Sequence, residues 1–343
     1  MSIKTETLDS LEKLRALEPE WRDLWQRDPA ATPFDGPDWL IPWTDHLWGG
    51  GRLHVLTVRN GGALIAVAPI FFWGYGGRPE IIRASFLGSG ITDHLGITAD
   101  PARDVEAARA ILDHLVSVAG EWHVCDLQEL RPTSPLLRAD LPRGLAAQDS
   151  PCGVCPVLSL PKSWDELVAG LDAKFRRNLR VAESRLRHDN AEFVCVPPQQ
   201  VEDAVRELIR LHEARWQQRR ESGMLATTAL HRFHLAAAAR LARLGAVHLY
   251  TLKAEGETIA VQYNLRRDTR VYAYLSGFDP AHQRNSPGAA LLAHSIRCAI
   301  EEGATHFDFL RNREEFKYQW GARDRVNRKL IVSHSAAYAR DVA

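Results

Sequence analysis

Between positions 273 and 303 the sequence reads AYLSGFDPAHQRNSPGAALLAHSIRCAIEEG. A strand-like apolar segment runs through a polar loop straight into a helix. Gln283, Arg284, Asn285 and Ser286 stand just ahead of Pro287-Gly288, at the mouth of that helix. A loop that receives an anion needs open backbone N–H groups, a small residue and a helix N-terminus behind it. Pro287 is tolerated in a first helical turn, Gly288 lets a ligand approach the backbone, and Gln283 and Arg284 add side-chain donors. A pyrophosphate suits that chemistry. A plainer reading makes Ser286 the N-cap ahead of Pro287.

Other chemistry-bearing residues are scattered. Asp93 and His94 close the polar loop Gly88-Ser-Gly-Ile-Thr-Asp-His. Asp308 interrupts the apolar run FDFL; it either faces a slot in the fold or pairs with Arg311 or Lys317, since a carboxylate in such a strand rarely stays unpaired. Asp279, in Gly-Phe-Asp-Pro, has the signature of a turn residue. His212, Arg215 and Trp216 fall at i, i+3, i+4 spacing and share a helix face. Tyr274 and Tyr318 are phenols able to give up a proton, or core tyrosines with one hydrogen bond. Cys152 and Cys155 have CxxC spacing, but no second pair stands at zinc-ligand spacing, so no metal site is expected.

These residues must be positioned by a large soluble chain. Its 343 residues suit two domains of about 150 to 170 residues each. Lys+Arg and Asp+Glu both number 43, so no net charge favours general nucleic-acid coating. Five irregularly spaced cysteines argue for a reducing compartment. The N-terminal MSIKTETLDSLEKL lacks the apolar core of a signal peptide, and the run ALIAVAPIFFW is too short to span a bilayer. A cytoplasmic location is expected, with contact to a membrane surface left open.

The first half reads as a strand at 3–7, helices at 10–26 and from Asp35, paired strands at 53–59 and 64–72 around Asn60-Gly61-Gly62, a helix at 102–119 and a strand at 122–127. The second half repeats this grammar. It gives helices at 201–219 and 229–244, a hairpin around Glu255-Gly256-Glu257, a strand at 270–277, a helix at 288–302, a strand at 306–310, a helix at 314–320 and a strand at 328–333. ARAILDHLVSVAGEWHVCDLQEL and LLAHSIRCAIEEGATHFDFLRNR overlay as helix, Gly, link and strand, with Asp126 where Asp308 stands. Two α/β units in tandem, each a mixed α+β sheet flanked by helices, are therefore expected: residues 1–155 and 191–343. The connector 156–190 holds a strand and one long basic helix, Ser163 to Asn190. Leu167, Leu171, Phe175, Leu179, Ala182 and Leu186 mark that helix's buried face, and Arg176, Arg177 and Arg180 lie among its cations.

The order of elements over 192–333 resembles the Gcn5-related N-acetyltransferase (GNAT) fold. In that fold the loop before the third helix reads roughly Gln/Arg-x-x-Gly-x-Gly/Ala and binds the pyrophosphate of coenzyme A. Gln283-Arg284-Asn285-Ser286-Pro287-Gly288 matches, with Ser286 in place of the usual Gly. The chain is more closely similar to the CelD/BcsL-like branch, which is related to the Fem peptidyltransferases and carries two GNAT-like units. The matching stretches are PFDGPDWLIPW, GSGITDHLGI, KFRRNLRVAESRL, LHEARWQQR, SGFDPAHQRNSPGAALL and FDFLRNREEFKYQWG. In that branch Ser-Pro-Gly before the helix is usual. Asn312 replaces an expected Gly and Phe316 an expected Tyr.

The resemblance implies acyl transfer from acetyl-CoA, or another acyl-CoA, to a primary amine, with no metal. The amine must lose a proton, the oxyanion must be stabilised and the thiolate must leave as a thiol. It implies cofactor contacts from the fourth-strand segment Tyr274, Leu275 and Ser276 and from Gln283 through Ala289. Asp93, His94 and Asp308 become candidate bases and Tyr318 a candidate acid. His212, Arg215, Trp216, Arg176, Arg177 and Arg311 become candidate acceptor contacts. The acceptor implied is an amino sugar of a surface polysaccharide. The alternatives are an amino lipid at an anionic membrane surface, Fem-like transfer from aminoacyl-tRNA, or a non-catalytic protein that senses a glycan or a partner.

Overall fold

The computed structural model describes residues 3–75, 78–219, 223 and 225–334. The first elements are β1 (Ile3–Leu8), α1 (Leu11–Arg27), α2 (Pro37–His46), β2 (Arg52–Asn60), β3 (Ala63–Tyr75), β4 (Arg78–Phe86), β5 (Thr98–Ala99), α3 (Asp104–Ser117) and β6 (Val124–Leu130). Next come β7 (Ala146–Ser159), α4 (Trp164–Gly170), α5 (Ala173–His188), β8 (Glu192–Cys195), α6 (Val201–Arg219), α7 (Thr228–Arg243) and β9 (Val247–Ala254). The chain continues through β10 (Glu257–Arg267), β11 (Arg270–Phe278), α8 (Pro287–Glu301), β12 (His306–Asp308), α9 (Glu315–Gln319) and β13 (Arg323–Ser333).

The chain forms two compact units, one of residues up to Gly153 together with those from Val326 onward, the other of Val154–Arg325. Each follows one plan: an edge strand, two helices, a three-strand antiparallel meander, a helix, and a strand parallel to the meander's last. In the first unit these are β1, α1 and α2, β2-β3-β4, α3 and β6; in the second, β8, α6 and α7, β9-β10-β11, α8 and β12. Each sheet then receives an antiparallel strand from elsewhere in sequence. β13 pairs with β6, and the last residues of β7 pair with β12 through His306↔Ser159 and Asp308↔Val157. The fold is a mixed α/β one with sheets flanked by helices, as the repeated grammar predicts.

Local chemistry explains the elements. Ser10 caps α1 by accepting from the Lys13 N–H, and Leu14, Leu17, Trp21, Leu24 and Trp25 bury one face of that helix. Thr227 caps α7 in the same way through Leu230. The single helix expected over 163–190 is two. Leu171 and Asp172 are extended, and the Asp172 carboxylate accepts from the N–H groups of Lys174 and Phe175 to start α5 afresh. The apolar stripe continues across that break, with Leu167, Leu171, Leu179, Ala182 and Leu186 all buried. β4, β5 and β8 are strands that pattern reading does not find.

Candidate active site

The second unit's sheet forks. β11 and β12 are parallel neighbours only through Arg270↔His306, Val271↔Phe307 and Tyr272↔Asp308. β11 then runs on to Phe278 with no β12 residue opposite, while β12 ends at Asp308. A β-bulge deepens the change of course: Tyr263 pairs with Leu275 and Asn264 with Ala273, which leaves Tyr274 as the extra residue on β11. Asp308 thus sits at the fork's apex.

A short 3-10 helix, Pro280–Asn285, joins β11 to α8, and Asp279 starts it by accepting from the Ala281 N–H. That is the turn role its sequence context implies. Ser286 follows with φ 51 and ψ 49, the left-handed region, and its side chain makes no capping hydrogen bond. The Ser-cap reading therefore fails on conformation: a capping serine is extended, so that its hydroxyl folds back over the first turn. Pro287 has no N–H. The N–H groups of Gly288 and Ala289 have no hydrogen-bond partner among the described residues, and the first bond of the helix is Ala290 N–H to the Ser286 carbonyl at 3.1 Å. A left-handed residue after a 3-10 turn points successive N–H groups into one concavity, the geometry of an anion nest. No acidic side chain lies in the first turn of α8. The corresponding helix of the first unit, α3, carries Asp104 and Glu106 there, so its positive end is already compensated.

The loop is clamped from the side by α5. Arg185 donates from Nη1 to the Arg284 carbonyl at 2.8 Å, and Asn285 donates from Nδ2 to Asp189 Oδ2 at 2.5 Å. Gln283, Arg284, Ser286 and Ala289 are exposed. Gly288 packs against Phe278, whose Cδ1 would lie 3.3 Å from an added Cβ. Gly277 provides a second close approach, because a Cβ there would lie 3.3 Å from the backbone nitrogen of His212. That crossing of α6 over β11 buries His212 near the strand's end.

Other expected site residues fall as follows. Leu275 is buried and Ser276 exposed, as alternation along β11 requires. The Tyr274 ring is buried against Tyr263 (5.9 Å) and His234 (5.6 Å), a core environment. Burial, then the neighbouring His231 and His212, pushes the His234 pKa down to about 3. Asp308 accepts from the Leu310 N–H at 2.8 Å, and Leu310 and Asn312 both have positive φ, 57 and 82. Asn312 thus occupies a conformation in which Gly is at ease and Asn is tolerated, which accounts for its place at an expected glycine.

Lys317 is not held by Asp308. Its buried ammonium donates to the carbonyls of Leu310 (3.1 Å), Arg311 (2.6 Å) and Asn312 (3.0 Å) and pairs with Glu314 at 2.8 Å. Arg311 is half-buried on that same turn. Tyr318 donates to Asp324 Oδ1 at 2.7 Å, and desolvation followed by that bond raises its pKa, which makes it a weaker acid. Arg176 is tied to the Ala169 carbonyl at 3.0 Å, while Arg177 and Arg180 are exposed on α5. Arg215 and Trp216 lie on α6, with side chains outside the described residues.

Asp93 and His94 belong to the first unit and are buried there. Asn327 Nδ2 donates to the Asp93 carbonyl (2.7 Å) and to Glu129 Oε2 (2.8 Å) and stands 3.4 Å from His94 Nδ1. Cys152 Sγ lies 3.5 Å from Glu129 Oε1, and Glu129 has φ 56. Glu129 and Asn327 are missed by sequence reading; a lone acid and a lone amide in apolar strands are their only signals. In the same unit Arg83 and Asp126 form a buried ion pair at 2.6 Å.

Comparison with known proteins follows the same lines. Residues 173–318 match the acetyltransferase (GNAT) domain family. A crystal structure of FemX aligns with 95% of this chain and 96% of its own, at 12% identity and TM-score 0.66. The C-terminal domain (DUF2156) of a putative lysylphosphatidylglycerol synthetase from Agrobacterium fabrum aligns with 96% of this chain and 94% of its own, at 15% identity and TM-score 0.58. L-PGS from Bacillus licheniformis does so over 94% and 91%, at 13% identity and TM-score 0.56. At such identities the likeness is one of fold. No curated protein sequence matches the chain. The chain carries a GNAT-type fold, and its segment 173–318 is similar to the acetyltransferase (GNAT) domain family.

Proposed function

We propose that this chain transfers an acyl group from a coenzyme A thioester to a primary amine. The observation that carries the reading is the uncompensated N-terminus of α8, with a left-handed Ser286, two N–H groups unpartnered among the described residues and no acid in the first turn. Its counterpart α3 has that position filled by carboxylates. In this reading Gln283 to Ala289 seat the pyrophosphate. The thioester lies in the fork between β11 and β12, and β11 backbone N–H groups past Tyr272 polarise its carbonyl. Asp308, at the apex, takes the amine proton directly or through water. Asp93 and His94 are the rival bases, and Tyr318 the rival acid.

For the acceptor we infer an amino sugar, from the resemblance of the sequence to the CelD/BcsL-like branch. An amino lipid is the second reading, favoured by the exposed Arg177 and Arg180 on α5 and by the shared fold of lysylphosphatidylglycerol synthetase domains. The same arginines would serve an aminoacyl-tRNA donor. Mass spectrometry of reactions pairing acetyl-, malonyl- and long-chain acyl-CoA with amino sugars and amino lipids tests the proposal. The expected result is one amide product and an equivalent of released thiol; no product from any pairing contradicts it.

A further inference from the structure

We propose that His54 and His114 form a binding site for one divalent transition-metal ion of the zinc type, which clips the sheet of the first unit to α3. The two residues stand 60 positions apart, on β2 and in the last turn of α3, and the fold brings their Nε2 atoms within 3.2 Å. Thr7 of β1 adds its Oγ1 at 3.2 Å from His114 Nε2. Three separate elements thus deliver three donor atoms to one point. All three residues belong to the first unit, whereas the candidate anion seat and the fork belong to the second. The metal site therefore stands or falls apart from the acyl-CoA reading.

Two neutral imidazoles can also share one proton, so distance is the first criterion. A hydrogen bond from nitrogen is commonest near 2.9 to 3.0 Å and thins out by about 3.2 Å. At a Zn–N distance of about 2.0 to 2.1 Å, two ligands of a tetrahedral ion stand about 3.3 Å apart. The observed 3.2 Å lies at the weak end of the first range and close to the second. Rigidity is the second criterion. The His54 ring is buried and stacks on Phe72 at 4.3 Å and 18°, so its lone pair is aimed in advance. His114 is half-buried, which leaves an approach from solvent.

The local charge favours a cation on balance. Glu121, in the 3-10 turn after α3, acts on both rings, and the carbonyl end of α3 adds negative potential beside His114. Arg52 opposes at His54, but it pairs with Glu121 at 2.6 Å and lies 4.9 Å over the Phe72 ring. Burial lowers the pKa of both histidines, so each is neutral at pH 7.5, the form that ligates metal. On binding, one ring moves its proton from Nε2 to Nδ1, and both Nε2 lone pairs then meet the ion. Water fills the remaining positions, and the Thr7 hydroxyl can hold one such water. Imidazole donors select zinc, copper or nickel over magnesium or calcium.

Calorimetric titration of the chelator-treated full chain with zinc chloride at pH 7.5 tests the site. Other histidines and cysteines of the chain can take up zinc weakly, so the site is read from the difference between variants. The tightest class of binding should hold one ion per chain. It should weaken about tenfold or more in His54→Gln and in His114→Gln, and change less than about twofold in His46→Gln, a histidine outside the cluster. Zinc should raise the melting temperature of the unmodified chain and of His46→Gln, and leave that of the other two variants unchanged. Magnesium should shift none of them. Melts without metal confirm that each variant folds; if His54→Gln does not, His114→Gln at its half-buried position decides the matter alone. Absence of zinc binding to the unmodified chain overturns the proposal. So does equal affinity with an equal thermal shift in all four proteins, which would leave the two rings as a hydrogen-bonded pair.

Discussion

Arg185, in the last turn of α5, donates to the backbone carbonyl of Arg284 at 2.8 Å across 99 positions of sequence. With the Asn285–Asp189 bond, it fixes the loop whose N–H groups form the proposed anion seat. Arg185 is exposed, so its removal should cost about 1 kcal/mol of stability or less. Loosening the loop should nevertheless raise the dissociation constant for coenzyme A several-fold. Calorimetry and thermal melts of Arg185→Ala check the pairing of a weakened site with an almost unchanged melting temperature.

Gly288 lies where a Cβ would come 3.3 Å from Phe278, and its N–H is one of the two groups unpartnered among the described residues. Gly288→Val should therefore abolish turnover with any acyl-CoA. The stability loss should stay at about 1 to 3 kcal/mol, because Phe278 can shift. Urea unfolding beside product assays checks this; near-normal turnover would place the cofactor elsewhere.

Lys317 gathers three carbonyls of the turn that follows Asp308. Lys317→Met leaves those acceptors without their donor in a buried setting, and a loss of about 2 to 4 kcal/mol follows. If Asp308 is the base, the variant should also lose kcat more than KM, because the turn that orients the carboxylate relaxes. Urea unfolding and steady-state kinetics read the two effects separately.

Two buried histidines set a pH dependence. Burial and the neighbouring His114 hold His54 at about 4, and burial with His231 and His212 holds His234 at about 3. Both stay neutral in the folded chain while the unfolded chain takes up protons near pH 6.5. Stability should therefore be level above pH 7 and fall as pH drops from about 6.5 towards 4, by about 3 kcal/mol or more. His54→Gln should flatten that slope. Denaturant unfolding at pH 7.5, 5.5 and 4.5 checks it.

Much of this architecture is legible in sequence, for local reasons. Ser10 and Thr227 announce helices because a hydroxyl caps an N-terminus. Glu255-Gly256 announces a hairpin, and both residues have positive φ, 53 and 85. The break at Leu171-Asp172 is hidden because the apolar stripe continues through it. β4 is hidden because Arg83, charged yet buried, owes its place to Asp126, 43 positions away. The same holds around Asp93 and His94: Asn327 stands 198 positions from Glu129, and only the folded chain joins them. In the candidate site, the residues of the loop are readable, but the left-handed Ser286 that turns a cap into an open seat is not. Asp279-Pro280 does mark the 3-10 turn ahead of it, but the clamp from α5 has no local mark, because Arg185 and Arg284 stand 99 positions apart.

Titration of coenzyme A into the unmodified chain and into Ser286→Asp is the most direct test of the anion seat. An aspartate tolerates the left-handed conformation and places a carboxylate at the positive end of α8, where a pyrophosphate would bind. The account predicts saturable one-site binding to the unmodified chain, weakened about tenfold or more in Ser286→Asp, whose melting temperature is equal or higher. Absence of binding to the unmodified chain, or equal affinity in both, would contradict it.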